Sequence, residues 1–274
     1  MYITRDPDVA RVLERCGVDW VFVDLEVMGK ADRQSGRNTV ISAHSVDDVA
    51  AVRAVLSTSK LLVRVNPWGG HSQEEIESVI QAGADILMLP FFTSSEEVAR
   101  FVDAVAGRGE VCLLMETPGA VENVDSILEV SGIDYIHIGL NDLHIAYGMN
   151  FMFEPLVDGT VERLCGKFAE KSITYGFGGM AAIGKLTPPA EEILAEHCRL
   201  GSSMVIMSRS FYNLDAMQNL GDLEDAFRNG VGQIRECERG LRMADARFFE
   251  ENRKRVVAGV EEVARNIAER HKKK

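Results

Sequence analysis

The feature that most limits how this chain can fold is a recurring pattern. Short apolar runs with no polar alternation occur at 2–4, 20–23, 61–65, 86–89, 111–115, 135–138, 174–177 and 204–207. Between them lie longer amphipathic stretches at 6–16, 45–56, 72–82, 94–106, 121–130, 157–171 and 189–199. Runs of Val, Ile, Leu and Phe without a polar face read as strands buried on both sides, the condition of a parallel sheet. A helix between each pair of strands supplies the crossover that parallel pairing needs. An open doubly wound sheet would require a switch point, whereas eight even units favour an α/β chain closed as a (β/α)8 TIM barrel.

Local signals support these elements. Ser45 precedes Asp47 and Asp48, and Ser94 is followed three positions later by Glu97, so both serines read as helix N-caps. Gly17, Gly83, Gly132 and Gly201 stand where helices should stop. From residue 222 onwards the chain is charged, rich in Glu, Arg and Ala, and free of proline, with apolar positions such as Leu223, Phe227, Val231, Val256 and Val260. One or two long amphipathic helices are expected there. The domain reading is a barrel over 1–215 and a C-terminal helical extension over 216–274. That extension must lie on this barrel or on a neighbouring subunit, so a homo-oligomer held by these helices is an expectation.

The 274 residues carry a formal net charge of −12, which argues against nucleic acid or an anionic membrane surface as partner. The five cysteines are scattered, with no CxxC and no Cys/His metal spacing, and read as reduced thiols. No apolar signal core follows the first residues and no run reaches membrane-spanning length, so a cytoplasmic location is expected.

A barrel of this class keeps its active site at the C-terminal ends of the strands. Those ends carry Asp24 and Glu26, Arg64 followed by Asn66, Glu116-Thr117-Pro118-Gly119, Gly139-Leu140-Asn141-Asp142, Gly178-Gly179, and Ser208-Arg209. Carboxylates on neighbouring strand ends suit a hard cation such as Mg2+, which takes one or two carboxylates and fills its shell with water and substrate. A salt bridge at the rim is the bland reading of any one of these acids. Arg64 lies in an apolar strand and needs an anionic partner: a substrate carboxylate or enolate, or simply Glu26. No strand end offers a lysine for imine chemistry, because Lys60 precedes its strand and Lys185 lies past the seventh.

The segments Asp24-Leu25-Glu26, Val63-Arg64-Val65, 115–120 and 138–143 occur in the order found in the HpcH/HpaI aldolase and citrate lyase family, and the resemblance spans roughly 1–210. It implies that Glu116 and Asp142, 26 positions apart, are metal ligands for Mg2+ or Mn2+. It also implies that Arg64 binds substrate and that the amides of Gly139, Leu140 and Asn141 receive a substrate carboxylate, with Thr117 close by. The substrate implied is pyruvate or a related 2-oxo acid. The implied reaction makes or breaks a carbon–carbon bond beside its enolate, with Asp24 and Glu26 orienting water or a general base.

One departure matters. The pyruvate aldolases of that family carry a histidine directly after the acidic motif; here the residue is Val27, which cannot transfer a proton. The citrate-lyase-like branch also lacks that histidine and shares the Asp-Leu-Glu motif. A CoA-ester lyase of the citrate or malyl type, or a repurposed non-catalytic barrel, are therefore the alternatives. His44, at the end of the loop 29–43, reads either as a substitute base or as a helix-start residue. His144 reads as an outer support of the metal site and His137 as a satisfied core histidine. Lys30, Arg33 and Arg37 in that loop read as solvated, with an anionic substrate tail as the other possibility.

Overall fold

The computed structural model describes residues 1–27, 44–185, 187–208, 211 and 219–272. The loop with Lys30, Arg33 and Arg37, and the pair Arg209 and Ser210, lie outside the described residues. Eight parallel strands run in sequential order: β1 (Tyr2–Ile3), β2 (Trp20–Asp24), β3 (Lys60–Arg64), β4 (Ile86–Leu89), β5 (Glu110–Met115), β6 (Tyr135–Ile138), β7 (Thr174–Met180) and β8 (Met204–Met207). The last strand returns to the first: the Met207 amide donates to the Met1 carbonyl and the Met1 nitrogen to the Val205 carbonyl, each at 2.9 Å. The sheet is thus a nearly closed (β/α)8 barrel.

Because strand side chains alternate, each strand sorts its residues into two layers. Val21, Val23, Leu61, Val63, Leu87 and Leu113 face the surrounding helices in one large cluster. Phe22, Leu62, Ile86, Met88, Cys112 and Leu114 fill the barrel interior with Met1. The same parity carries Asp24, Arg64 and Glu116 into the upper interior layer. It sends Lys60 and Glu110 to the floor, where Lys60 Nζ meets Glu110 Oε2 at 2.5 Å and Trp20 stands edge-on to Tyr135. Lys60 therefore lies at the end of the barrel remote from the strand-end rim.

The outer helices are α1 (Pro7–Arg15), α2 (Val46–Arg53), α3 (Ser72–Gln81), α4 (Ser95–Val105), α5 (Pro118–Glu122), α6 (Val124–Ile127), α7 (Leu140–Ala146), α8 (Glu154–Val157), α9 (Thr160–Glu170), α10 (Ala190–Arg199), α11 (Leu220–Leu241) and α12 (Ala246–Lys272). Ser94 and Glu97 form a capping box, as do Ser45 and Asp48.

Three elements differ from the sequence reading. The expected helix 121–130 is two short helices that begin earlier, because Pro118 takes the first helical position behind the Thr117 cap. Strand β7 runs on through Gly178-Gly179 rather than ending at 177, with a register shift against β8 between Gly176 and Gly179. The segment 139–142, at a strand end in the sequence reading, opens α7 directly.

The C-terminal stretch forms two helices packed on this chain's own barrel. Helix α11 takes an outer-ring place, with Phe227 edge-on to Tyr2 and Glu224 paired to Arg15 at 2.7 Å. Helix α12 lies over α8 and α10, where Arg253 donates to the carbonyls of Leu156 and Val157 and Asn252 to that of Glu192. Leu223, Phe227, Val256 and Val260 are fully buried in these contacts.

Candidate active site

Strands β2 and β3 pair with Asp24 opposite Arg64. The guanidinium meets the Asp24 carboxylate in a fork, Nε to Oδ1 and Nη2 to Oδ2, both at 2.8 Å. Its Nη1 lies 3.2 Å from Glu26 Oε2. Bidentate geometry is the strong form of this contact. Burial works against the Arg64 charge, but Asp24, then Glu26 and Glu116, raise its pKa. Glu26 was one of the two partners open to Arg64, and Asp24 holds it more closely still.

Strand β5 ends at Met115 and delivers Glu116, only 2% exposed, to the same layer. Its Oε1 has no hydrogen-bond partner among the described residues. Burial pushes the carboxyl well above the usual carboxylate range; Arg64 and the Phe91 amide pull it down, while Asp142 and Glu26 push it further up. Gly139 makes room for it: a Cβ there would sit 2.8 Å from both Cβ and Oε2 of Glu116. Asp142 lies half-buried in the first turn of α7. First-turn amides have no partner within their helix; the Leu143 amide is the first to bond back, to the Gly139 carbonyl. The upper layer thus gathers Asp24, Glu26 and Glu116 about Arg64, with Asp142 acting on Glu116. Glu116 and Asp142 are the two that could hold a divalent cation.

The remaining residues named from the sequence fall as follows. His44 Nδ1 accepts the Asp24 amide at 3.0 Å, so the neutral ring carries its proton on Nε2. The Thr117 hydroxyl donates to the Phe92 carbonyl and accepts the Ala120 amide, a capping role. Leu140 is fully buried and can offer only its backbone. His144 is buried with Nδ1 against the Leu140 carbonyl. His137 is only half satisfied: Nε2 donates to the Gly178 carbonyl at 2.9 Å, and Nδ1 has no partner among the described residues. Val27 is 49% exposed at the rim. Sequence reasoning missed Glu75 of α3, which reaches Asn66 at the end of β3; nothing in the local pattern of α3 sets this glutamate apart from its neighbours.

Fold and site together define a (β/α)8 barrel with a carboxylate-rich rim. A model of the HpcH/HpaI aldolase/citrate lyase family matches residues 2–152, a stretch that contains Asp24, Glu26, Arg64, Glu116 and Asp142. The chain belongs to that family. It is 27% identical over 173 residues to a 4-hydroxy-2-oxovalerate aldolase of Novosphingobium aromaticivorans, covering 52% of this chain and 60% of that protein. It is 27% identical over 172 residues to a hydroxypyruvate/pyruvate aldolase of Sagittula stellata, covering 52% and 61%. The matches therefore span about 60% of the length of these curated relatives. The crystal structure of an HpcH/HpaI aldolase from Desulfitobacterium hafniense superposes with a TM-score of 0.60 at 19% identity, covering 86% of this chain and 92% of that one, which is a likeness of fold.

Proposed function

We propose that this chain is a divalent-metal-dependent carbon–carbon lyase of the aldolase type, acting beside the enolate of pyruvate or a related 2-oxo acid. The observation that carries this reading is Glu116, a buried carboxyl with an unpartnered oxygen, pressed by Asp142 and Glu26. Burying such a group is costly unless something of opposite charge meets it. Mg2+ or Mn2+ between Glu116 and Asp142 would do so. Among the described residues no set of three or more His, Cys, Asp or Glu gathers for a metal. The pair would thus be the protein's share of the ligands, with water and substrate completing the shell. When bound, such an ion supplies Lewis-acid stabilisation of the enolate.

The chain's own groups carry the rest. A guanidinium has five N–H donors, and Asp24 and Glu26 engage three of its contacts, so Arg64 keeps capacity for a substrate oxygen. Held by two buried carboxylates, it needs no reorganisation as negative charge develops. The amides at the start of α7, which have no partner within their helix, would receive a substrate carboxylate. His44, with Nδ1 on the Asp24 amide, serves as an Nε2 donor; acting as a base would require it to release that amide. Val27 moves no proton, so enolate stabilisation is better supported than any one acceptor chemistry. The names of the aldolase relatives support a pyruvate-type substrate.

The test is pyruvate release from a panel of 4-hydroxy-2-oxo acids with added Mg2+ or Mn2+, run beside malyl-CoA and citramalyl-CoA. Metal-dependent pyruvate release, abolished by chelation and by Glu116→Ala, is the expected result. Cleavage of the CoA esters alone would assign the chain to that branch. Activity untouched by both chelator and Glu116→Ala would remove the metal reading.

A further inference from the structure

Beyond Asp24 the β2–β3 ladder makes one more bond, from the Leu25 amide to the Arg64 carbonyl at 2.9 Å. The segment that presents Glu26 continues past that point, where side chains replace the ladder. The Glu26 amide donates to Asp24 Oδ1 at 3.2 Å. Asn66 grips the two peptides on either side: its Oδ1 accepts the Val27 amide at 3.0 Å and its Nδ2 donates to the Leu25 carbonyl at 3.3 Å. Asn66 is itself anchored by Glu75, which accepts from Nδ2 at 2.7 Å and from the Asn66 amide at 3.1 Å. Each hydrogen-bonding direction of the Asn66 side chain is thus assigned, and the amide cannot be flipped without setting its oxygen against a carbonyl and a carboxylate.

We infer that Asn66 is a positioning residue: with Glu75 it fixes the backbone on both sides of Glu26, and so aims the Glu26 carboxylate at Arg64. The inference rests on the catalytic reading of the rim given above. A brace needed only for folding could bond anywhere along β2. This one touches the two peptides that flank a rim carboxylate, just past the Leu25 amide that bonds the Arg64 carbonyl. Groups that orient a reacting or ligating residue typically change activity on the order of 10- to 100-fold when removed.

The experiment compares wild type with Asn66→Ala, Asn66→Asp, Asn66→Asp/Glu75→Gln, Glu26→Gln, Glu26→Gln/Asn66→Ala and Glu116→Ala. Each is assayed with Mn2+ for pyruvate release from the best 4-hydroxy-2-oxo acid of the panel. Amide hydrogen exchange over residues 24–27 is followed in parallel. Asn66→Ala should lower kcat about 10- to 100-fold with little change in KM, and should lose protection at 24–27. It should remove nothing further in the Glu26→Gln background. Asn66→Asp sets two carboxylates against each other and should be as poor; adding Glu75→Gln restores a donor between them and should recover most of the lost kcat. A kcat for Asn66→Ala within about twofold of wild type, unchanged protection, or an undiminished loss in the Glu26→Gln background overturns the inference while leaving the catalytic reading in place. No pyruvate release by wild type from any acid of the panel removes the catalytic reading, and the inference with it, whereas full activity of Glu116→Ala removes the metal reading alone.

Discussion

At the scale of single residues, Glu116 and Gly139 act as a unit. The carboxylate occupies the space that a Cβ at residue 139 would take, at 2.8 Å from its Oε2. Gly139→Ala should therefore displace Glu116 while the barrel still folds. A shift near 1 Å at a reacting group costs on the order of a hundredfold, so turnover should fall by about that factor with little change in the circular dichroism spectrum. A different pair of residues weakens the fold in acid, opposite in sign to the raised Glu116. Burial lowers His137 to about 4, with the Gly178 carbonyl pulling back, and lowers His197 to about 3, with His137 adding to the effect. Both would titrate near 6.5 in the unfolded chain. Unfolding then takes up protons, so the stability these neutral rings contribute is full above about pH 6.5 and falls as the pH drops towards their folded values. For His137 alone the separation is worth roughly 3 kcal/mol. Urea unfolding from about pH 7.5 to about pH 5 should show this slope, and His137→Asn should flatten it by one proton's share.

At the scale of elements, helix α12 is docked by directed bonds as well as by apolar contact. Arg253 donates to the carbonyls of Leu156 and Val157 at 2.7 and 3.1 Å. Buried acceptors left unpaired cost about 1–3 kcal/mol each, so Arg253→Ala should destabilise the protein by about 2 kcal/mol or more in urea unfolding. The barrel strands were readable in the sequence because runs such as Trp20-Val21-Phe22-Val23 are apolar on both faces. The charged residue that ended such a run marked the rim, which is how Asp24, Arg64 and Glu116 stood out. Glycine hid the true end of β7: the apolar run stops at 177, yet the strand goes on through Gly178-Gly179, Gly176 is there because a Cβ would meet the Met204 carbonyl at 1.9 Å, and Gly178 holds a φ of +58°. Pro118, at a strand end in the sequence, takes the first position of a helix, which is why the helix starts before the expected 121. The contacts of His44 with Asp24 and of Asn66 with Glu75 join residues 20 and 9 positions apart, and no helix or strand periodicity encodes them.

At the scale of the molecule, the two ends of the barrel differ in kind. The floor is closed by the Lys60–Glu110 pair and the Trp20–Tyr135 contact. Among the described residues, the rim gathers Asp24, Glu26 and Glu116 about Arg64, with Asp142 acting on Glu116. That gathering of carboxyls, in a barrel whose strands otherwise bury apolar side chains, is what supports the proposal of a divalent cation at this end. The most direct measurement is a titration of the purified chain with Mn2+, followed by electron paramagnetic resonance, for wild type and Glu116→Gln. The account expects one saturable Mn2+ per wild-type chain and an affinity at least about tenfold weaker in Glu116→Gln, the scale on which metal affinity responds even to outer supports of a site. Equal affinity in the two proteins would contradict it.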